Sequence, residues 1–289
     1  NVEYDQPIKN GPNAVGFDYY FGISASLDMV PYTFIENDKV TVNPTEDRDF
    51  AMMLGKENGA RCRKGPAAPG FEAEDVLPTL TRKPVAYIGE RAKAKSSFFL
   101  YLPLASPHTP IMPTKDWQNK SGLNPYADFV MATDKAVGDV LASLKANGVE
   151  ENTLVIFTSD NGCSPMADFP VLLKLGHNPN HIFRGHKADI FEGGHRVPFI
   201  ARWPGKITAG SKSDRLVCLT DIMATCGEVT GVKLPQTTAE DSFSFVSAWS
   251  ESKDATRREG LVVQSSNGSF AIREGKWKLC RCPGSGGWS

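Results

Sequence analysis

Three short segments carry the residue types that could do chemistry. Asp160-Asn161-Gly162 places a carboxylate, an amide oxygen and a flexible turn directly after the apolar run Thr153-Leu-Val-Ile-Phe-Thr158. Oxygen donors of this kind suit a hard cation such as Ca²⁺ or Mg²⁺. The same tripeptide is also an ordinary turn, and composition alone favours the turn. Four of the five histidines, His177, His181, His186 and His195, lie between Gly176 and His195. His177 and His181 have the i, i+4 spacing of a helical zinc pair. Asn178-Pro179-Asn180 between them opposes a helix, and no Cys or carboxylate completes the set, so loop histidines are the favoured reading. Arg184-Gly-His-Lys187 and Phe191-Glu-Gly-Gly-His-Arg196 gather cations and glycines in one loop. Such a loop can bring backbone and cations to an oxyanion, although a solvated basic loop has the same composition. His108 sits in the loop sequence Ser106-Pro-His-Thr-Pro110.

These segments need elements to hold them. Ser97–Ala105 and Thr153–Thr158 are continuous apolar runs, expected to be strands covered on both faces. Between them, Tyr126, Phe129, Val130, Val137, Val140, Leu141 and Leu144 fall on one helical arc. Asn124 is the expected N-cap, Pro125 the first helical residue and Asn147-Gly148 the stop. Asp134 falls at the arc's edge and is expected to be hydrogen-bonded near the core. Strand, helix, strand is the pattern of a parallel sheet with helices on its faces, whose ligands bind beyond the carboxyl ends of strands. His108 and Asp160-Asn161 both follow such ends. Val197–Arg202 reads as a further strand and Leu219–Val229 as a helix. Residues 43–75 are polar, Gly/Pro-punctuated and without period, which predicts a long surface excursion. Beyond residue 235, Leu261–Ser265, Ser269–Arg273 and Lys276–Leu279 are short strands joined through Asn267-Gly268 and Glu274-Gly275, a small antiparallel sheet. The expected division is therefore residues 1–234, a large α/β domain, and 235–289, the start of a smaller C-terminal subdomain.

The chain has 289 residues, 40% of them apolar and 22% charged, with a formal charge of −1. That is an ordinary globular composition able to bury a large core. The lack of a basic block opposes nucleic-acid binding. No apolar run approaches the roughly 20 residues of a membrane helix. The six cysteines are scattered, and Cys280-Arg-Cys282 is too close for a Cys-x-x-Cys knuckle, so no zinc ribbon or disulfide framework is implied. The first residue is Asn and the last stretch is turn-rich, so both ends read as cut.

Taken in order, Gly16-Phe-Asp-Tyr-Tyr-Phe-Gly22, Pro107-His-Thr-Pro110, Thr158-Ser-Asp-Asn-Gly162, Arg184–Arg196, Pro198-Phe-Ile-Ala-Arg-Trp-Pro204 and Gly275-Lys-Trp-Lys-Leu279 resemble the type I, formylglycine-dependent sulfatases of the alkaline phosphatase superfamily. The resemblance implies an α/β fold with a mostly parallel sheet and a C-terminal antiparallel subdomain. It implies Asp160 and Asn161 as calcium ligands, His108 and Lys187 as catalytic sulfate contacts, and His195 as a substrate contact. It further implies a sulfated carbohydrate as substrate, a formylglycine-generating maturase as partner, and a periplasmic or secreted location. The family's nucleophile is a Cys in Cys-x-Pro-Ser/Ala-x-Arg, and no cysteine here stands in that pattern. Cys163-Ser-Pro165 continues as Met166-Ala167-Asp168. The expectation is an N-terminally truncated sulfatase, inactive by itself. Rival readings are a phosphatase or phosphodiesterase of the same superfamily, in which a His at the position of Asn161 would suit zinc, and a non-catalytic binding protein on this scaffold.

Overall fold

The computed structural model describes residues 3–249 and 258–289. Contacts divide the chain into two compact units. The first comprises residues 1–149 and 166–177, the second residues 150–165 and 178–289.

The first unit opens with a three-stranded antiparallel sheet, β1 (Phe21–Ile23), β2 (Phe34–Glu36) and β3 (Lys39–Val40), followed by the ladder of β4 (Glu46–Arg48) and β5 (Gly65–Ala67). Residues 43–75 are not a surface excursion. Phe50, Ala51, Met53, Cys62, Ala67, Ala68, Phe71 and Ala73 are all buried there. Phe50, Cys62, Ala67, Ala68, Phe71 and Ala73 pack with Leu27, Tyr32, Val76 and Leu80 into one core, in which the Tyr32 ring meets Phe50 edge-on at 5.0 Å. Met53 joins a second core with Leu77, Ile111 and Phe129. Burial pushes the Cys62 thiol up to about 12. This core is assembled from single apolar residues between turns and isolated bridges, so no helical or strand period announces it.

Two helices complete the unit. α1 (Val76–Lys93) buries Val76, Leu77, Leu80, Pro84 and Ile88 and packs on α2 (Pro125–Ala146). The start of α2 is as expected: Asn124 Oδ1 accepts the Ala127 amide at 3.0 Å, a cap that contributes about 1 kcal/mol. Its buried stripe is Asp128, Phe129, Ala132, Ala136, Ser143 and Leu144, rotated from the arc of larger residues. Val130 is exposed. Asp134 is exposed as well, not near the core, and borders an open groove with Trp117, Val130, Met131 and Lys135. The small residues face inward because α1 lies close against this side, with the Ser143 hydroxyl donating to the Val85 carbonyl at 3.2 Å. Residues 97–105 form no ladder among the described residues. Exposure alternates along them, with Phe99 and Tyr101 62% and 67% exposed, so the segment is covered on one side and not on both. A short helix, α3 (Phe169–Lys174), ends the unit.

In the second unit β6 (Val155–Thr158) pairs with β7 (Phe199–Arg202). Their pairing is antiparallel, Val155 opposite Arg202 and Thr158 opposite Phe199. A parallel neighbour was expected for β6; an apolar run marks an extended segment but does not specify its neighbour, which is why the antiparallel pairing was not visible in the sequence. Between these strands lies the single turn α4 (Glu192–His195). α5 (Asp221–Thr230) follows, as expected. Then come β8 (Gly260–Gln264), β9 (Phe270–Glu274) and β10 (Trp277–Cys280), antiparallel in the order β10-β9-β8. Gly268 and Gly275 adopt the positive φ that tight hairpin turns need, 87° and 52°.

Candidate active-site loops

β6 delivers Ser159–Gly162 at its end. The Ser159 hydroxyl donates to the Asn161 carbonyl at 3.0 Å, and Asn161 Nδ2 donates to the Gly162 carbonyl at 3.0 Å. That bond turns the amide nitrogen back onto the chain and leaves the acceptor oxygen for a ligand. Asp160 is exposed, so its charge costs little to maintain. The turn is not free-standing. The Gly162 amide donates to the Gly194 carbonyl at 3.0 Å and the Lys187 amide to the Cys163 carbonyl at 2.9 Å. Two backbone bonds therefore join the Asp-Asn-Gly turn to the loop that carries Lys187 and His195.

The glycines make this approach feasible. A Cβ on Gly162 would lie 1.7 Å from the Gly193 carbonyl oxygen, one on Gly193 2.1 Å from that of Gly185, and one on Gly194 2.3 Å from that of Asp189. Backbone is stacked on backbone here, and only residues without a side chain fit.

Lys187 is half-buried. Its backbone is bonded at both N–H and C=O, whereas its Nζ has no hydrogen bond or ion pair among the described residues. A half-buried ammonium without a counter-charge attracts anions. His186 beside it is engaged at both ring nitrogens, by the Lys187 carbonyl at 3.0 Å and by the Ser289 hydroxyl at 3.2 Å. His195 donates its ring N–H to the Asp189 carbonyl, and burial together with the charge of Lys278 holds its pKa below the ordinary histidine value. Its Nε2 is buried without a partner among the described residues. A neutral imidazole that donates through Nδ1 can only accept through Nε2. Arg196 lies over the Phe183 ring at 5.0 Å and 3.7 Å from Glu192, a packing role.

Two acids in this loop were not singled out by sequence reasoning. Asp189 is fully buried. It accepts the His186 amide at 3.0 Å, the Trp288 amide at 2.9 Å and the Ser289 amide at 3.1 Å, as well as the Ser289 hydroxyl. Burial alone would raise its pKa, but the donors from Ser289 and His186 outweigh it and hold the carboxyl below its usual range. A depressed carboxyl stabilises the fold above its unfolded pKa and loses that contribution as pH falls through the folded value. Thermal unfolding followed from pH 7 into acid should therefore show a loss below about pH 4 that Asp189→Asn removes; parallel curves for both proteins would exclude Asp189 as the source. Glu192 pairs with Lys278 at 3.0 Å and with Arg273. Burial would raise this carboxyl too, and the two cations bring it below the ordinary value. Two acids within an otherwise basic loop were the one sequence signal available for them.

His108 belongs to the first unit. Its Nδ1 is 2.9 Å from the Thr109 carbonyl, so that nitrogen carries the proton, and 3.8 Å from Asp28 Oδ1. Asp28 is a third acid that the sequence did not mark. His177 follows α3 and His181 sits at φ 54°, both exposed, so the pair does not share a helix. Among the described residues, no three His, Cys, Asp or Glu side chains are grouped to hold a metal. Asp160 and Asn161 fit a hard cation in kind and amount to two of the roughly six to eight oxygens that calcium takes.

Comparison with known proteins gives the family. The sulfatase family model matches residues 6–232. The chain is 32% identical over 312 residues to an N-acetylgalactosamine-6-O-sulfatase of Bacteroides thetaiotaomicron, covering 96% of this chain and 60% of that protein. It is 31% identical over 242 residues to the N-acetylgalactosamine-6-sulfatase of Rattus norvegicus, covering 83% of this chain and 42% of the relative. A structure solved in work on the metabolism of multiple glycosaminoglycans by Bacteroides thetaiotaomicron superimposes with a TM-score of 0.81 at 29% identity, over 97% of this chain and 64% of the other. A Pseudoalteromonas sulfatase shares the fold with a TM-score of 0.70 at 23% identity, over 93% of this chain and 55% of the other. The chain thus spans about 60% of the length of the first of these relatives. The α/β, alkaline phosphatase-like class and the C-terminal antiparallel sheet stand as expected, and the chain belongs to the sulfatase family.

Proposed function

We propose that this chain is part of a sulfatase that hydrolyses a sulfate monoester of a carbohydrate, with N-acetylgalactosamine 6-sulfate the substrate class suggested by its relatives' names. The observation that carries the reading is the unpaired Lys187 Nζ, on a loop whose backbone is bonded to the Asp160-Asn161 turn. Lys187 would hold a sulfate oxygen, placing fixed positive charge where negative charge develops. Asp160 and Asn161 would supply two calcium ligands. When bound, calcium would neutralise non-bridging sulfate oxygens. His108, in the imidazolium form that carries a proton on both ring nitrogens, would donate from Nε2 to a sulfate oxygen or deliver that proton to the leaving alcohol. His195 would accept a sugar hydroxyl at its unpartnered Nε2, which repays a buried acceptor otherwise left unsatisfied. The nucleophile would be a formylglycine matured by a partner enzyme from a cysteine outside this sequence. A periplasmic or secreted location accords with the family. No helix among the described residues is long and apolar enough to cross a membrane.

The test joins this chain to a Cys-x-Pro-Ser/Ala-x-Arg segment and supplies the maturase. Sulfate should be released from N-acetylgalactosamine 6-sulfate, with calcium bound stoichiometrically and lost in Asp160→Ala. The chain by itself should leave 4-nitrophenyl sulfate intact. Release of phosphate from phosphate esters without sulfate release, with bound zinc, would replace this reading by the phosphatase one. Turnover by the chain alone that Cys163→Ala abolishes would make Cys163 the nucleophile.

A further inference from the structure

The loop that holds Lys187 is gripped from outside by residues far along the chain. Ala188, directly after Lys187, has φ 81°, a left-handed conformation that a residue with a Cβ adopts only when its surroundings impose it. The constraint is visible. The Ser266 amide donates to the Ala188 carbonyl at 2.9 Å, and the Ile190 amide donates to the Ser285 carbonyl at 2.7 Å. Gly287 lies so close that a Cβ there would be 2.4 Å from the Ala188 carbonyl oxygen. Trp288 and Ser289 close on the Asp189 carboxylate. At the other end of the loop, Arg273 of β9 and Lys278 of β10 hold Glu192.

We propose that segment 285–289 and the β9–β10 hairpin form a brace that sets the direction of Lys187 and the depth of His195, with Asp189 and Glu192 as positioning residues and Gly287 as the point of closest approach. The inference rests on the sulfate-contacting role given to Lys187 above. Its physical basis is separation of tasks. Lys187 keeps a free ammonium because no acid of its own loop reaches it; both acids are occupied by donors from the brace. Were Asp189 or Glu192 released, each would be a carboxylate two or five residues from Lys187, free to neutralise it. The brace thus fixes the backbone and also removes the competing anions.

The test uses this chain, with lysine side chains labelled for NMR and the Lys187 signal assigned through Lys187→Arg. Inorganic sulfate is titrated into the wild type, Gly287→Ala, Asp189→Asn and Asp189→Ala. Gly287→Ala removes no charged group; its Cβ would stand 2.4 Å from the Ala188 carbonyl oxygen and 2.6 Å from Asp189 Oδ1, and lifts the segment from both. Asp189→Asn keeps the Oδ1 acceptor that receives the Trp288 and Ser289 amides, whereas Asp189→Ala loses both oxygens. Sulfate should shift Lys187 in the wild type. Its apparent affinity should fall about tenfold to a hundredfold in Gly287→Ala and Asp189→Ala, the range for a displaced binding group, and less in Asp189→Asn. Amide exchange in β8–β10 should stay protected, which separates displacement from unfolding. Equal affinities in all four proteins would overturn the brace while leaving the role of Lys187 standing. A wild-type Lys187 signal indifferent to sulfate would overturn that role, and the brace with it.

Discussion

Lys187→Ala should lower kcat/KM by about 10²–10³ in an enzyme that joins this chain to its nucleophile, the scale for losing one preorganised donor at a developing oxyanion. His186→Ala should change it by less than about tenfold, because a ring already bonded on both nitrogens contributes packing and one link to Ser289. The contrast between neighbours is the informative quantity. Both are basic, both are half-buried, and they differ in whether the charged group is spoken for. His108→Ala should fall nearer to Lys187→Ala. If His108 is the acid, its defect shrinks as the leaving alcohol becomes more acidic; a defect constant across leaving groups makes it a sulfate contact. Steady-state kinetics on a series of aryl sulfates measures all three. Equal losses for Lys187→Ala and His186→Ala, with folding intact by circular dichroism, would mean that the residues of this loop have been assigned in the wrong register.

Why the sequence marked the cationic loop around Lys187 as a candidate and did not single out Asp189 is a matter of range. Motifs record local chemistry: Asn124 with Pro125, the apolar run before Asp160, and Gly268 and Gly275 in their hairpins each act on residues within a few positions. α2, β6 and the C-terminal sheet were therefore visible. Beyond the nearby His186 amide, the partners of Asp189 are Trp288 and Ser289, 99 and 100 positions away, and no spacing rule reaches that far. The core of residues 43–75 escaped for a related reason. Phe50, Cys62 and Phe71 meet through a fold in the chain, so their burial leaves no period. The shift of the α2 stripe toward Ala132 and Ala136 shows a further limit. Size decides which face packs when two helices approach closely, and hydrophobicity alone pointed to the larger neighbours. In the candidate site, the paired oxygens of Asp160 and Asn161 and the cation of Lys187 could be named from residue type. That they share one backbone-bonded unit could not.

Gly162→Ala tests that unit directly, and its effect should be the largest of any single methyl added to this chain. The new Cβ would stand 1.7 Å from the Gly193 carbonyl oxygen, with rigid backbone on both sides. No rotamer change relieves it, so the turn must withdraw. Withdrawal breaks the Gly162–Gly194 bond of 3.0 Å and strains the Lys187–Cys163 bond of 2.9 Å. Overpacking together with the lost bond should cost about 3 kcal/mol or more. At the few degrees per kcal/mol expected for a unit of this size, the melting temperature should drop by about 10 °C. Because Asp160 and Asn161 immediately precede Gly162, whatever fraction stays folded should also bind calcium more weakly. Gly138→Ala supplies the comparison. Gly138 lies within α2 and a Cβ there meets nothing within 4 Å, so the same substitution should stabilise by up to about 1 kcal/mol through helix propensity. The two variants differ only in what the methyl group meets. If calorimetry gave Gly162→Ala a melting temperature within a degree of wild type, the turn would be free to move away from Gly193. The backbone link between the two candidate site segments would then carry no energy.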